Sequence, residues 1–403
     1  NMLIKNLGSD YNPLYFLAAL GAGGLAVSFF MYPMFLIPHA DTPMVTFNHW
    51  WPVMTEGTLL QQALLGGAIF MIALLALVHF RLLFWNLSEY RKFKRTAAYS
   101  KLKQSNAEVS VMALPLTLAM TINVSFVLGA TFVPDLWNIV EYLFPVAIMA
   151  FLLVGLLALK ILGEYFARLF THGDFDFVAN NNLSQMIAIF ALVMIAVGLA
   201  APGAMSHFKA INAVGIFFSI FFFSLAVVLM LFKLVLGVQS MMQHGLAERA
   251  SPSLWILIPI LTLMGITLIR LTMGLHHGFD TTLNKPGLFV LTSAVLSIQI
   301  LVGLIGYKVM RVNGYFRDYV HGPKGDAGSF ALICPGVAFT VFGFFFLIFG
   351  LVKNGLVSVG DPLFFALLAP FVLVQLKTLQ VFFRLGCRVI ACGPCRVAVE
   401  KTA

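Results

Sequence analysis

Residues 251–277 read SPSLWILIPILTLMGITLIRLTMGLHH. The run is almost wholly apolar and long enough for one helix to cross a bilayer, which takes about 20 residues. Pro259 falls in its first third, and one full charge, Arg270, lies nearer its end. A guanidinium stays protonated at any ordinary pH. Placing one in hydrocarbon costs at least ~2.5–3.5 kcal/mol, so such a residue usually turns to a protein interior or a wet cavity. The segment is therefore expected to form one wall of a central pore, with Arg270 as its deep fixed positive charge.

The whole chain has the same character. Of its 403 residues, 60% are hydrophobic, 10% are charged and 40 are Phe. A soluble domain carries about 25% charge, and so little charge could not cover such an apolar chain in water. The apolar runs are too long for the short alternating strands of a β-barrel. An all-α integral membrane protein is expected. The formal charge is +9, but Lys and Arg gather between apolar runs on alternate sides, which reads as membrane orientation and not as nucleic-acid binding. Cys334, Cys387, Cys392 and Cys395 form no secreted disulfide framework. The first apolar run lacks a small-residue cleavage site, so no cleavable leader is expected.

Ten spans are expected, at about 14–37, 58–85, 108–133, 136–170, 183–201, 210–242, 252–275, 287–312, 328–352 and 363–390. Residues 1–403 then make a single transmembrane domain, with 1–13 and 391–403 as its ends. Arg91, Lys92, Lys94, Arg95, Lys101 and Lys103 fall between the second and third spans; Arg249, Arg311, Arg317 and Lys324 fall on the same side, as does the tail with Arg384, Arg388, Arg396 and Lys401. The opposite loops hold Lys209, Lys285 and Lys353. Basic loops stay in the cytoplasm, so both termini are expected there, in a bacterial inner membrane. An even number of spans agrees.

Odd spans carry Pro33, Pro115, Pro202, Pro259 and Pro335, whereas Pro370 in the tenth is the exception among even spans. A proline inside a helix removes a backbone hydrogen bond and bends it, which lipid tolerates poorly and a bundle or water tolerates better. Five hairpins follow, with kinked odd helices (Pro33, Pro115, Pro259, Pro335) forming an inner pore ring and even helices an outer ring. Small and hydroxyl residues recur at helical spacing on the odd spans: Gly21, Gly24 and Ser28; Thr117, Thr121 and Ser125; Thr267, Arg270 and Gly274; Cys334 and Ala338. Such stripes commonly serve tight helix packing. Alternatively they line a narrow path in which weak donors and one cation receive a partly dehydrated anion.

Three stretches carry a resemblance: AERASPSLWILIP at 247–259, LGAGGLA at 20–26 and FALICP at 330–335. They resemble the tellurite-resistance/dicarboxylate transporter family, which includes the plant slow-type anion channels. The resemblance implies a quasi-fivefold set of helical hairpins around one pore per subunit, usually in a homotrimer, that conducts or transports chloride, nitrate, dicarboxylates or sulfite. It also implies a Phe gate on the ninth helix. Cys334 stands at that position here, so either the gate is missing or another aromatic acts instead, Phe330, one turn away, or Phe339, beyond Pro335. An Arg at 270 is a departure and would suit a more strongly anionic substrate.

The remaining residues admit plainer readings. Cys392-Gly-Pro-Cys395 matches the thioredoxin tetrapeptide but lacks its strand-and-helix context, so an inert thiol pair is the simpler expectation. His39, Asp41 and His49, with His276, His277 and Asp280, suit either a pH-sensitive mouth, a metal site or ordinary loops. Lys233 is expected to snorkel. The leading function is an anion channel or uniporter without enzymatic activity or cofactor, in which Arg270, Thr267, Ser28, Gly24, Thr117 and Thr121 face the anion. A proton-coupled or exchanging carrier for dicarboxylate or sulfite-type anions is the alternative. A membrane redox protein would need deep axial ligands, and His79 is the one His clearly within a span.

Overall fold

A computed structural model describes residues 3–393 and 396–397, and these are organised as helices. Ten of the helices are long and apolar enough to cross a membrane, as expected of a multi-pass membrane protein. They are α1 (Pro13–Leu36), α2 (Leu59–Phe93), α3 (Asn106–Phe132), α4 (Val140–His172), α5 (Ser184–Met205), α6 (Lys209–His244), α7 (Glu248–Phe279), α8 (Lys285–Val312), α9 (Ala327–Asn354) and α10 (Pro362–Ile390). A short helix, Phe47–Glu56, lies between α1 and α2. The two ends of the chain meet where Leu3 bridges Ala391 and the Ile4 N–H donates to the Ile390 carbonyl at 3.1 Å.

Odd and even helices differ in burial. At least half of the apolar window of every odd helix is buried, reaching 94% in α5, against at most 39% in any even helix. Among odd helices, α1 packs on α3, α3 on α5, α5 on α7, α7 on α9 and α9 on α1. Each even helix packs on odd ones: α2 on α1, α4 and α6 on α5, α8 on α7 and α9, α10 on α9. The outward faces of the even helices stay apolar, with Leu60, Phe70, Leu77, Leu153, Leu231, Leu304 and Leu373 exposed. An apolar surface this extensive is suited to lipid and costly in water. Close approach fixes the packing in places: a Cβ on Gly274 would lie 2.6 Å from the Gly203 carbonyl oxygen, so α7 meets α5 backbone to backbone.

Each odd helix begins with a 3-10 stretch before turning α-helical: Pro13–Tyr15, Asn106–Met112, Ser184–Met186, Glu248–Ile256 and Ala327–Leu332. Pro115, Pro259 and Pro335 are each the third residue of the α-helical part that follows. The first N–H groups of an α-helix have no partner in the preceding turn, so a proline there costs little. Pro33 and Pro202 occupy the last turn of α1 and α5, where their carbonyls accept from the N–H groups of Ile37 and Ser206. The expected mid-helix positions of Pro115, Pro259 and Pro335 are thus corrected to 3-10/α junctions, while Pro33, also expected as a kink, lies inside α1 in its last turn. Nor are even helices free of interior proline, since Pro145 lies inside α4 and Pro370 inside α10.

Candidate functional site

Two cavities border the odd helices, the inner one also touching Phe144, Ala147 and Phe151 of α4. The inner one, of about 180 Å³, is lined from all five, through Gly24 (α1), Asn123 (α3), Val197 (α5), Arg270 (α7) and Val337 (α9) among others. The second, of about 320 Å³, opens at the 3-10 ends, between Asn12, Ser184, Arg249, Ser253 and Asp326. Phe190, Pro259 and Cys334 border both. They belong to α5, α7 and α9 near their 3-10/α junctions, so the wall the two cavities share stands where those helices change winding.

Arg270 keeps accessible surface where it faces the inner cavity. Its Nη1 donates to the Val197 carbonyl at 2.7 Å. That is its one hydrogen bond among the described residues, and no carboxylate there pairs with it. A guanidinium has five N–H donors, so most of its hydrogen-bonding capacity is left unused by the described residues. The cavity wall is otherwise largely apolar, with Met31, Met120, Met194, Phe126, Phe151 and Phe345 around it. Asn123 and Thr262 are the exceptions. Thr262 is already engaged: its hydroxyl donates to the Ala338 carbonyl at 2.8 Å and accepts from Gln299 at 2.7 Å.

Of the residues singled out individually in the sequence, Gly24, Pro202, Arg270 and Ala338 reach the inner cavity, Pro259 and Cys334 both cavities, and Arg249 and Pro335 the second. The hydroxyl stripes do not. Ser28 is fully buried, donates to the Leu25 carbonyl and accepts from Gln375 of α10 at 2.9 Å. Thr117 donates to the carbonyls of Ala113 and Phe16, and Thr121 donates to the Thr117 carbonyl and meets His79 Nε2 at 2.9 Å. Thr267 donates to the Leu263 carbonyl at 2.6 Å. These hydroxyls face neighbouring helices or close on their own backbone, a common resting place for Ser and Thr in helices. Both aromatic gate candidates are also corrected. Phe330 is fully buried and lines neither cavity, and Phe339 packs on Phe371 of α10, ring centroids 4.9 Å apart.

The sequence reading missed both Phe190 and Asn123. Nothing in the apolar run of α5 distinguishes Phe190 from its neighbours, whereas Asn123, an amide in an apolar span, could have been found.

Other groups also settle differently from expectation. Lys233 does not snorkel: it is buried, donates to Gln185 at 3.0 Å and lies over the rings of Tyr165, Phe166, Phe175 and Phe232. His79 has both ring nitrogens engaged, Nδ1 with the Ala19 carbonyl at 2.7 Å and Nε2 with Thr121. At the far end of the bundle from the second cavity, His49 Nε2 bonds Asp41 at 2.8 Å, and this hydrogen bond holds the Asp41 carboxyl below the usual carboxylate range. His277 stacks edge-on with His207 and not with that group. No set of three or more His, Cys, Asp or Glu among the described residues is disposed to hold a metal ion. Glu141 accepts from the Ser206 hydroxyl and the His207 N–H, both at 2.7 Å. Cys387 is disulfide-bonded and Cys392 is a free, exposed thiol, while Cys395 lies outside the described residues.

No family model, curated protein or solved structure matches this chain. The geometry around Arg270 therefore carries the functional reading.

Proposed function

We propose that the protein is an anion channel or uniporter, with the anion passing between the two cavities and pairing with Arg270. One observation carries this reading: a guanidinium without a carboxylate partner among the described residues, lining a cavity that shares Phe190, Pro259 and Cys334 with a second one at the 3-10 ends. An unpaired cation in an apolar surround is costly, and a mobile anion is the natural counter-charge. In this reading the five odd helices form an inner ring around the path. The even helices form the outer, lipid-facing ring, and each consecutive pair is a hairpin. The second cavity opens to the cytoplasm, where both termini lie, in a bacterial inner membrane. Phe190 takes the closing role that the resemblance to the tellurite-resistance/dicarboxylate transporter family assigns to a ninth-helix Phe, opposite Cys334. Membership of that family and homotrimeric assembly enter from the resemblance alone.

Reconstituted liposomes test the proposal. Chloride, nitrate, sulfite and malate are offered in parallel to the wild-type chain and to Arg270→Ala. Arg270-dependent anion flux is expected. Flux that is unchanged in rate and ion preference in the variant removes Arg270 from the mechanism.

A further inference from the structure

The inner cavity combines one positive charge with an apolar wall, and that combination selects among anions. A small, strongly hydrated anion must shed water, and here the replacement donors come down to the Arg270 fork and the Asn123 amide. Asn123 already directs its Nδ2 at the Met194 sulfur, 3.5 Å away. A dianion fares worse, because a single guanidinium leaves its second charge unpaired against methionine and phenylalanine. An apolar body, by contrast, gains from the wall at every contact. The space suffices for one: an apolar cavity of roughly 150 Å³ accommodates a benzene molecule, and this cavity measures about 180 Å³.

We propose that the Arg270 cavity takes an organic monoanion, a carboxylate or sulfonate carried on an apolar body about the size of one aromatic ring. The anionic head docks on the guanidinium donors left free by Val197, and the body lies against the wall of Met120, Met194 and Phe151. This narrows the proposed function, since it rests on Arg270 as the anion site. It also reverses the sequence-based expectation that an added arginine marks a more strongly charged substrate.

The test measures binding by thermal shift on purified full-length protein in detergent, alongside anion flux in liposomes. Benzenesulfonate is the probe, because it stays ionised and does not cross lipid as a neutral acid. Methanesulfonate lacks the ring, and 1,3-benzenedisulfonate adds a second charge. Benzenesulfonate is expected to stabilise the protein at a concentration at least about tenfold lower than either comparator. Arg270→Gln is expected to abolish the shift, and Ala201→Phe, which fills the cavity, to weaken it. If a variant fails to fold, the three probes on the wild-type chain still decide. Equal or weaker binding of benzenesulfonate overturns the inference. When that result comes with Arg270-dependent chloride or nitrate flux, the pathway reading stands without it. Arg270-dependent binding of benzenesulfonate with no anion flux sinks the pathway and leaves the binding site.

Discussion

Arg249 and Arg270 sit near opposite ends of the same helix, α7, and meet opposite fates. Arg249 donates through Nε and Nη2 to one oxygen of Asp326, at 2.9 and 2.5 Å, tying the start of α7 to the start of α9. The other oxygen of Asp326 accepts from the Gly328 N–H at 3.0 Å, so the carboxylate also caps the 3-10 turn that opens α9. Arg270 has a backbone carbonyl and a cavity. A paired guanidinium holds helices together. One left unpaired at depth has a destabilising charge to compensate, and a ligand can do so. The lesson is that position on a helix says little about an arginine's role until its partners are known.

The comparison breaks most readily at Arg270. Replacing it with Ala removes the charge-assisted hydrogen bonds to an anion, each worth about 1.5–3 kcal/mol, so flux is expected to fall about ten- to a hundredfold. Liposome flux measures this, and thermal stability is expected to hold or rise because an unpaired buried charge is gone.

Asp326→Asn should do the reverse. It removes the Asp326 charge from beside a partly exposed Arg249 and weakens the turn, with an expected loss of about 1–2 kcal/mol in stability. Thermal denaturation in detergent follows that loss, and the fraction that remains folded should still show Arg270-dependent flux. A large flux defect at full stability would mean that the Arg249–Asp326 pair belongs to the pathway.

Phe190→Ala sharpens the contrast by removing a ring from the wall that the two arginines' cavities share. An increase in flux of a few fold is expected if the ring closes the path, read in the same liposomes, with no gain in the double variant with Arg270→Ala. Unchanged flux from Phe190→Ala alone would take the ring out of the gating role.

The smallest effect lies at the opposite end from the second cavity. The hydrogen bond from His49 lowers the Asp41 pKa from its ordinary 3.8, and Asp41 is fully exposed. A carboxyl whose folded value is depressed adds stability above its unfolded value and loses it as pH falls through the folded one. Protection of the first loop in hydrogen exchange should therefore fade below about pH 4 in the wild type. In His49→Phe that pH dependence should be absent. A loop insensitive to both changes would make the Asp41–His49 contact incidental.

Much of the candidate site was hidden in the sequence for a physical reason. A hydroxyl in a helix can satisfy itself on the carbonyl one turn back, as Thr117 does on Ala113, Thr121 on Thr117 and Thr267 on Leu263. A stripe of Ser and Thr therefore does not say which way its helix is turned. Arg270 was legible because its charge has no such local remedy. Gly24 and Cys334 were found through helical spacing and the resemblance, while Phe190, one phenylalanine among 40, carried no mark.

By itself the sequence determined the number and order of the apolar helices and the presence of one deep arginine in α7. Both are sums over single segments, set by transfer of side chains from water. Packing settled which face of each helix meets a cavity, that Arg249 would find Asp326 while Arg270 found no carboxylate among the described residues, and that Phe190 and Cys334 would border the same two cavities. Those outcomes depend on how each helix is rotated about its axis. That rotation is set by packing against neighbours distant in the chain, and no single segment encodes it.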